Sequence, residues 1–133
     1  MRFMPTHREE SLNTKKRIYC AGAMSDPNPI KFLDNLRKGM RISTQLLLEG
    51  FAVFSPFIDY SLFFQLREGE SIPIEMIQAQ SLAWMEVSDA ILLVEGWENS
   101  RGAQKELERA YSLGIPVFHS LEDLISYFKA VKA

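Results

Sequence analysis

The residues best suited to chemistry stand close together in the stretch Asp89 to Phe118, D-A-I-L-L-V-E-G-W-E-N-S-R-G-A-Q-K-E-L-E-R-A-Y-S-L-G-I-P-V-F. Ser100-Arg101-Gly102 leads into a helical pattern over Ala103 to Leu113, which Gly114 and then Pro116 stop. A helix start offers unpaired N–H groups and the positive end of a dipole, an arrangement that suits an anion such as phosphate. Glu106 lies one turn further on. At about 100° per residue from Ala103, Leu107, Ala110 and Gly114 cluster within about 40°, and Glu106 falls about 60° to one side. Glu108 falls on the far, polar side with Lys105 and Ser112. Glu106 is therefore expected to lean toward the sheet, where a low-dielectric surface tunes a carboxylate's pKa. The plain alternative is a partly buried glutamate bonded to a backbone N–H or to an arginine.

These residues need a frame to hold them. Ala90 to Val94 is a short continuous apolar run, as expected of a strand buried on both faces. Gly96 to Gly102 reads as loop, and Pro116 to Phe118 opens the next strand. The unit is βαβ, so the crossover is expected to be right-handed and the strands parallel. Ligands in such sheets bind outside the carboxyl ends of the strands, where Ser100, Arg101 and Gly102 are placed.

The rest of the chain repeats the plan. Residues 1–16 are polar with mixed charge and read as a flexible N-terminal arm, with the folded domain expected over residues 17–133. Arg17 to Ala21 reads as the first strand, running into the small-residue loop Gly22 to Pro29. That loop carries neither G-x-G-x-x-G nor a P-loop, so by itself it is a weak pointer to a phosphate or sugar site. Ile30 to Gly50 reads as a helix and Phe51 to Phe54 as the second strand. The aromatic stretch Phe57 to Phe64, which also holds Asp59, is read as a loop that could sandwich a flat base, or else pack in the core or against a subunit. A helix follows from Ile72 or Pro73 to Val87, with Ile74, Ile77, Ser81 and Met85 on its inner face. Ser120 caps a last helix, Leu121 to Lys132. The expected fold is α/β, a three-layer flavodoxin- or Rossmann-like domain with a four- or five-stranded parallel sheet and helices on both faces.

Composition narrows the partners. The chain has 133 residues, 47% hydrophobic and 24% charged, enough for one domain with a real core. A net charge of −2 gives no concentrated basic surface, so neither a nucleic acid polymer nor a membrane is an expected partner. One cysteine, Cys20, and a polar start without an apolar signal core suggest a reducing, cytoplasmic setting. The two histidines form no ligand-spaced cluster, and neither a metal nor another cofactor is expected.

I-Y-C-A-G-A-M-S, G-F-A-V-F-S-P, S-L-A-W-M-E-V-S-D-A-I-L-L and G-W-E-N-S-R-G-A-Q-K-E-L-E-R-A-Y-S-L-G-I-P-V-F together resemble the nucleoside 2-deoxyribosyltransferase superfamily. They are most like its small branch labelled DUF4406, over roughly Arg17 to Phe118. The resemblance implies a homodimer or higher homo-oligomer with sites completed across subunits, and a nucleoside or nucleotide as the small-molecule substrate. It implies Glu106 as the nucleophile that attacks the anomeric carbon, and Tyr19 as the residue that positions it. Ser100, Arg101 and Gly102 correspond to the 5′-phosphate cradle. Gly22, Met24 and Ser25 match the first glycine-rich loop loosely. A carboxylate suits this work because it stabilises, and can trap, an oxocarbenium-like sugar.

One position departs from the pattern. The family's usual acid, eight residues ahead of the third-strand Asp, is here Ser81. A serine donates a hydrogen bond but is a poor general acid. Asp59, Gln78, Gln80 and Glu86 are the candidates to replace it. The C-terminal Asn motif of the transferases is also not evident, which favours the hydrolase-like or uncharacterised branch. Two further readings stay open: a non-catalytic nucleotide-binding or regulatory module, and an assembly protein using the aromatic stretch.

Overall fold

Alternation along one strand decides which side of the molecule carries chemistry. In β1 (Arg17–Ala21) successive side chains point to opposite faces. Ile18 and Cys20 enter one core with Leu46, Phe57, Leu92, Leu124 and Phe128. Tyr19 and Ala21 enter the other with Met85, Ile91, Leu93, Ala103 and Ala110. A computed structural model describes residues 15–132. After β1 come α1 (Pro29–Leu48), β2 (Ala52–Phe54), a 3-10 segment (Pro56–Gln65) and α2 (Ile74–Glu86). Then follow β3 (Ala90–Leu93), a 3-10 turn (Trp97–Asn99), α3 (Arg101–Leu113), β4 (Val117–Phe118) and α4 (Leu121–Lys132).

The sheet has four strands in the order β2-β1-β3-β4, all parallel. Helices cover both faces, α1 and α4 one, α2 and α3 the other. This is the expected three-layer α/β fold. The chain leaves β1 toward β2 and returns to the far side of β1 for β3, so the strand order switches between β1 and β3. A crevice outside the carboxyl ends of these two strands is the preferred ligand site of such sheets. Register there is set by Ile18 opposite Ala90 through Ala21 opposite Leu93. The Arg17 N–H donates to Asp89 Oδ2 at 2.7 Å and ties the start of β1 to the entry of β3.

Several local readings need adjustment. The arm expected over residues 1–16 lies, up to residue 14, outside the described residues; the Lys16 carbonyl already accepts from Ala52 N–H at 2.9 Å, beside the β1–β2 ladder. The aromatic stretch is not an open loop. Pro56 starts a helical turn, and Pro56–Gln65 winds as 3-10 helix. That winding places Phe57 in the core instead of a binding loop, 1% exposed. Its ring lies against α1 at Gly39, where an added Cβ would sit 2.2 Å from Phe57 Cγ. Gly39 is thus the residue that lets α1 approach the ring. On α2, Ser81 and Met85 are buried as the pattern requires, but Ile74 is half exposed at the cleft described next. No helix among the described residues is long and apolar enough to cross a membrane.

Candidate functional site

A cleft of about 230 Å³ opens at the switch between β1 and β3. Its walls come from four places in the chain. The loop after β1 contributes Gly22, Met24 and Ser25; the 3-10 segment contributes Pro56 and Tyr60. From α2 come Ile74, Ile77, Gln78 and Ser81. The turn into α3 adds Asn99, Ser100, Arg101 and Gly102, with Glu106 one helical turn deeper.

Ser100 is the N-cap of α3. Its backbone is extended, and its Oγ accepts from Ala103 N–H at 3.1 Å, so the side chain satisfies one of the helix's orphan donors. Arg101 and Gly102 are the first two helical residues, and both line the cleft. Gly102 is not demanded by packing: a Cβ there would meet no protein atom closer than Ser100 Oγ at 3.8 Å. Its φ is not in the positive range either. A small residue here leaves space on the cleft side of a helix N-terminus, the geometry an anion uses.

Glu106 is half-buried on the sheet side of α3, between the buried Ala103 and Ala110. The Tyr19 hydroxyl donates to its Oε2 at 2.5 Å, a short, charge-assisted distance. Burial raises the Glu106 carboxyl to about 7, while the Tyr19 hydrogen bond pulls it back toward the ionised form. Tyr19 is pushed well above the ordinary tyrosine range, first by burial and then by the negative charge of Glu106. It therefore stays a donor. Its ring is fixed by stacking on Phe54 at 5.6 Å, and Phe54 stacks in turn on Trp84 at 5.6 Å. The pair can present an ionised carboxylate with Oε2 engaged and Oε1 available to a reacting carbon.

Behind this pair lies a second acid. Asp59, on the 3-10 segment, is only 7% exposed, and Ser81 on α2 only 3%. The Ser81 hydroxyl holds both Asp59 and Tyr19 down toward their ionised forms, against the burial that raises each. Gln80 Nε2 donates to Asp59 Oδ2 at 3.4 Å. Burial raises the Asp59 carboxyl above its ordinary range, opposed by the hydrogen bonds of Gln80 and Ser81.

Of the residues singled out in the sequence, Gly22, Met24, Ser25, Ser81, Ser100, Arg101, Gly102 and Glu106 line one cleft. Tyr19 stands immediately behind it, through Glu106, and Asp59 is buried outside the cleft lining, held by Gln80 Nε2. Phe57 does not join them. The aromatic residue that faces the cleft is Tyr60, whose hydroxyl lies 3.3 Å from Ser25 Oγ and joins the two loops across the opening. Phe32 and Phe63 hold the Tyr60 ring edge-on and stacked. Pro56 signals the helical turn, but nothing within the segment says which aromatic turns to the cleft. Glu86, another candidate acid, is paired with Arg109 at 2.8 Å. Among the described residues no group of three or more His, Cys, Asp or Glu could hold a metal ion.

A search of curated proteins finds no match to the chain. A family model described as a domain of unknown function, DUF4406, matches residues 16–119, from the start of β1 past the Glu106 helix to the end of β4. The chain belongs to the DUF4406 family.

Proposed function

We propose that the chain is an N-glycosidase or deoxyribosyltransferase-like enzyme that cleaves the N-glycosidic bond of a nucleoside or nucleoside 5′-monophosphate. The observation that carries this reading is Glu106, held by Tyr19 from behind, in the same cleft as the open helix start at Ser100–Gly102. In this reading the helix start and Arg101 hold the 5′-phosphate, and Tyr60 borders the base. Glu106 Oε1 attacks the anomeric carbon as the carbon–nitrogen bond breaks, and Tyr19 keeps Oε2 oriented and the carboxylate ionised. With its pKa near 7, Glu106 is divided between acid and carboxylate at neutral pH. Water then releases the sugar, or a second base does in the transfer version.

The reading includes a homo-oligomer and a cytoplasmic setting. Ile74 at the cleft is half exposed, a surface that a second copy would cover. Cys20 is a buried free thiol, compatible with a reducing compartment.

A panel of ribo- and deoxyribonucleosides and their 5′-monophosphates tests the proposal by release of free base. Wild type is expected to release base from at least one monophosphate, and Glu106→Ala and Glu106→Gln to abolish it. No release from any member sinks the enzymatic reading. The second reading, a nucleotide-binding module without turnover, is favoured by one observation: Ser81 occupies the cleft wall where an acid is wanted. Calorimetric binding of a monophosphate with no base release supports that alternative.

A further inference from the structure

We propose that the hydrogen bond between Ser25 and Tyr60 is a latch that narrows the mouth of the cleft, and that ligands larger than a simple anion enter only when it opens. Such a latch acts on any ligand of the cleft and so goes beyond the glycosidase reading. The cleft lining deepens from Ser25, which is exposed, through the half-buried Tyr60 and Glu106 to the buried Ser81. The Ser25–Tyr60 contact, 3.3 Å long, therefore lies at the mouth. It joins two separate walls, the loop after β1 and the 3-10 segment Pro56–Gln65.

The two sides of the latch are held differently. The Tyr60 ring is fixed: it meets Phe32 edge-on at 5.0 Å and stacks on Phe63 at 5.7 Å. Ser25 lies on a short span between two anchors. Gly22 is the first; it is buried, and a Cβ there would fall 2.8 Å from Val94 Cβ, so its backbone is pressed against the chain leaving β3. The second is the entry to α1, where Asp26 Oδ1 accepts from Asn28 N–H at 2.8 Å and Asn28 Oδ1 from Ile30 N–H at 3.0 Å. Residues 23–25 between them are neither helix nor strand. Met24 is the pivot of this span: its side chain packs on the core, and its carbonyl accepts from Asn35 Nδ2 at 3.2 Å. Beyond the pivot, the Tyr60 hydroxyl is what holds Ser25 to the facing wall.

The latch is cheap to open and has a reason to open. One neutral hydrogen bond of this kind shifts a closed–open equilibrium by roughly 2- to 12-fold, so the open form stays populated. With the latch closed the cleft is about 230 Å³, below the roughly 300–1,000 Å³ typical of sites for larger organic ligands. A phosphate ion fits the closed form; a ligand that also carries a ring system needs the wider mouth.

Thiol labelling tests the latch without any assumption about the substrate. Gly102→Cys places a thiol on the cleft wall, where its Cβ meets no protein atom closer than Ser100 Oγ at 3.8 Å, and the buried Cys20 stays silent. Into this protein are added Ser25→Ala, Tyr60→Phe, which keeps the ring, or both, and each is labelled with small iodoacetamide and with bulky pyrene maleimide. Either change should speed the bulky reagent roughly 2- to 12-fold, leave iodoacetamide within about twofold, and gain nothing further in the pair, since both remove one bond. Unchanged bulky labelling, equal acceleration of both reagents, or gains that multiply would overturn the latch. Should Tyr60→Phe fail to fold, the exposed Ser25→Ala carries the same comparison. In proteins that keep Gly102, stopped-flow association of adenosine, guanosine, cytidine and thymidine 5′-monophosphates should quicken equally in both single variants. An unchanged rate for a monophosphate that binds, or weaker binding in Tyr60→Phe alone, which would make the Tyr60 hydroxyl a ligand contact, also overturns it. If none of the four binds wild type, the nucleotide readings fall, and the labelling rates still decide the latch.

Discussion

Tyr19 and Glu106 are 87 residues apart in sequence and share a hydrogen bond of 2.5 Å. The bond joins the central strand β1 to α3 across the face that α2 and α3 cover. It competes directly with the burial that pushes Glu106 toward its neutral form. Tyr19→Phe removes the donor and keeps the ring on Phe54. The Glu106 pKa should then rise above about 7, and the acid limb of any base-release profile should move to higher pH. The hydrogen bond to a charged group contributes about 1.5–3 kcal/mol, so the shift should be about one unit or more. A carbon-13 carboxyl titration checks it even without turnover. An unmoved titration would mean that Tyr19 does not govern Glu106.

The same burial makes Glu106 a liability for stability, with a definite sign. Its pKa rises from an ordinary 4.5 to about 7 on folding, so the folded state holds the proton more tightly than the unfolded state. Stability contributed by the protonated form is complete below the unfolded value and declines as pH rises through the folded value. Glu106→Gln should match wild type at pH 4 and exceed it at pH 8 by about 2–3 kcal/mol, allowing for partial exposure. Urea unfolding at the two pH values measures this. A variant no more stable at pH 8 would place Glu106 in a more solvated setting.

Gly102 separates binding from folding. Nothing in the protein occupies the position of its absent Cβ, and its backbone is helical. Gly102→Ala should be neutral or raise stability by up to about 1 kcal/mol, because alanine is the better helix former. It should weaken a nucleoside 5′-monophosphate by roughly tenfold or more, about 1.4 kcal/mol, and leave the unphosphorylated nucleoside little changed. Calorimetry on the two ligands decides. Equal affinity for the monophosphate in both proteins would move the anion away from the start of α3.

Gly39 makes the opposite case. A methyl there would fall 2.2 Å from Phe57 Cγ, well inside contact distance. Gly39→Ala should destabilise by about 1–3 kcal/mol or more through overpacking, and Phe57→Leu in the same background should recover part of the loss. Neither residue lines the cleft, so base release per folded molecule should be unchanged. Chemical denaturation alongside the activity assay tests both halves.

What could be read in the chain followed the reach of the signals. The parallel sheet, its helices and the lean of Glu106 come from local periodicity, and local periodicity survives folding intact. The helix α3 is expected from Ala103 but begins two residues earlier, at Arg101, because Ser100 caps it within three residues. Phe57 and Tyr60 could not be told apart in this way. Which aromatic turns inward depends on Gly39, a bare spot on a different helix, and no pattern within the segment encodes it. Asp59 and Gln80 belong to two successive elements whose docking brings the amide onto the carboxyl. Their contact lies in tertiary geometry, and the spacing of the two residues carries no trace of it.

Tyr19 and Cys20 are neighbours in β1, yet one points to Glu106 and the other into the opposite core. The chemistry is therefore tied to a parity. Pairing of Ile18 with Ala90, reinforced by the Arg17–Asp89 bond, admits the phenol to Glu106. A slip of one residue would deliver the thiol instead and drive the phenol among Leu46, Leu124 and Phe128. One inserted residue ahead of Tyr19 could leave the ladder intact and the composition unchanged in kind, and still turn the site inside out.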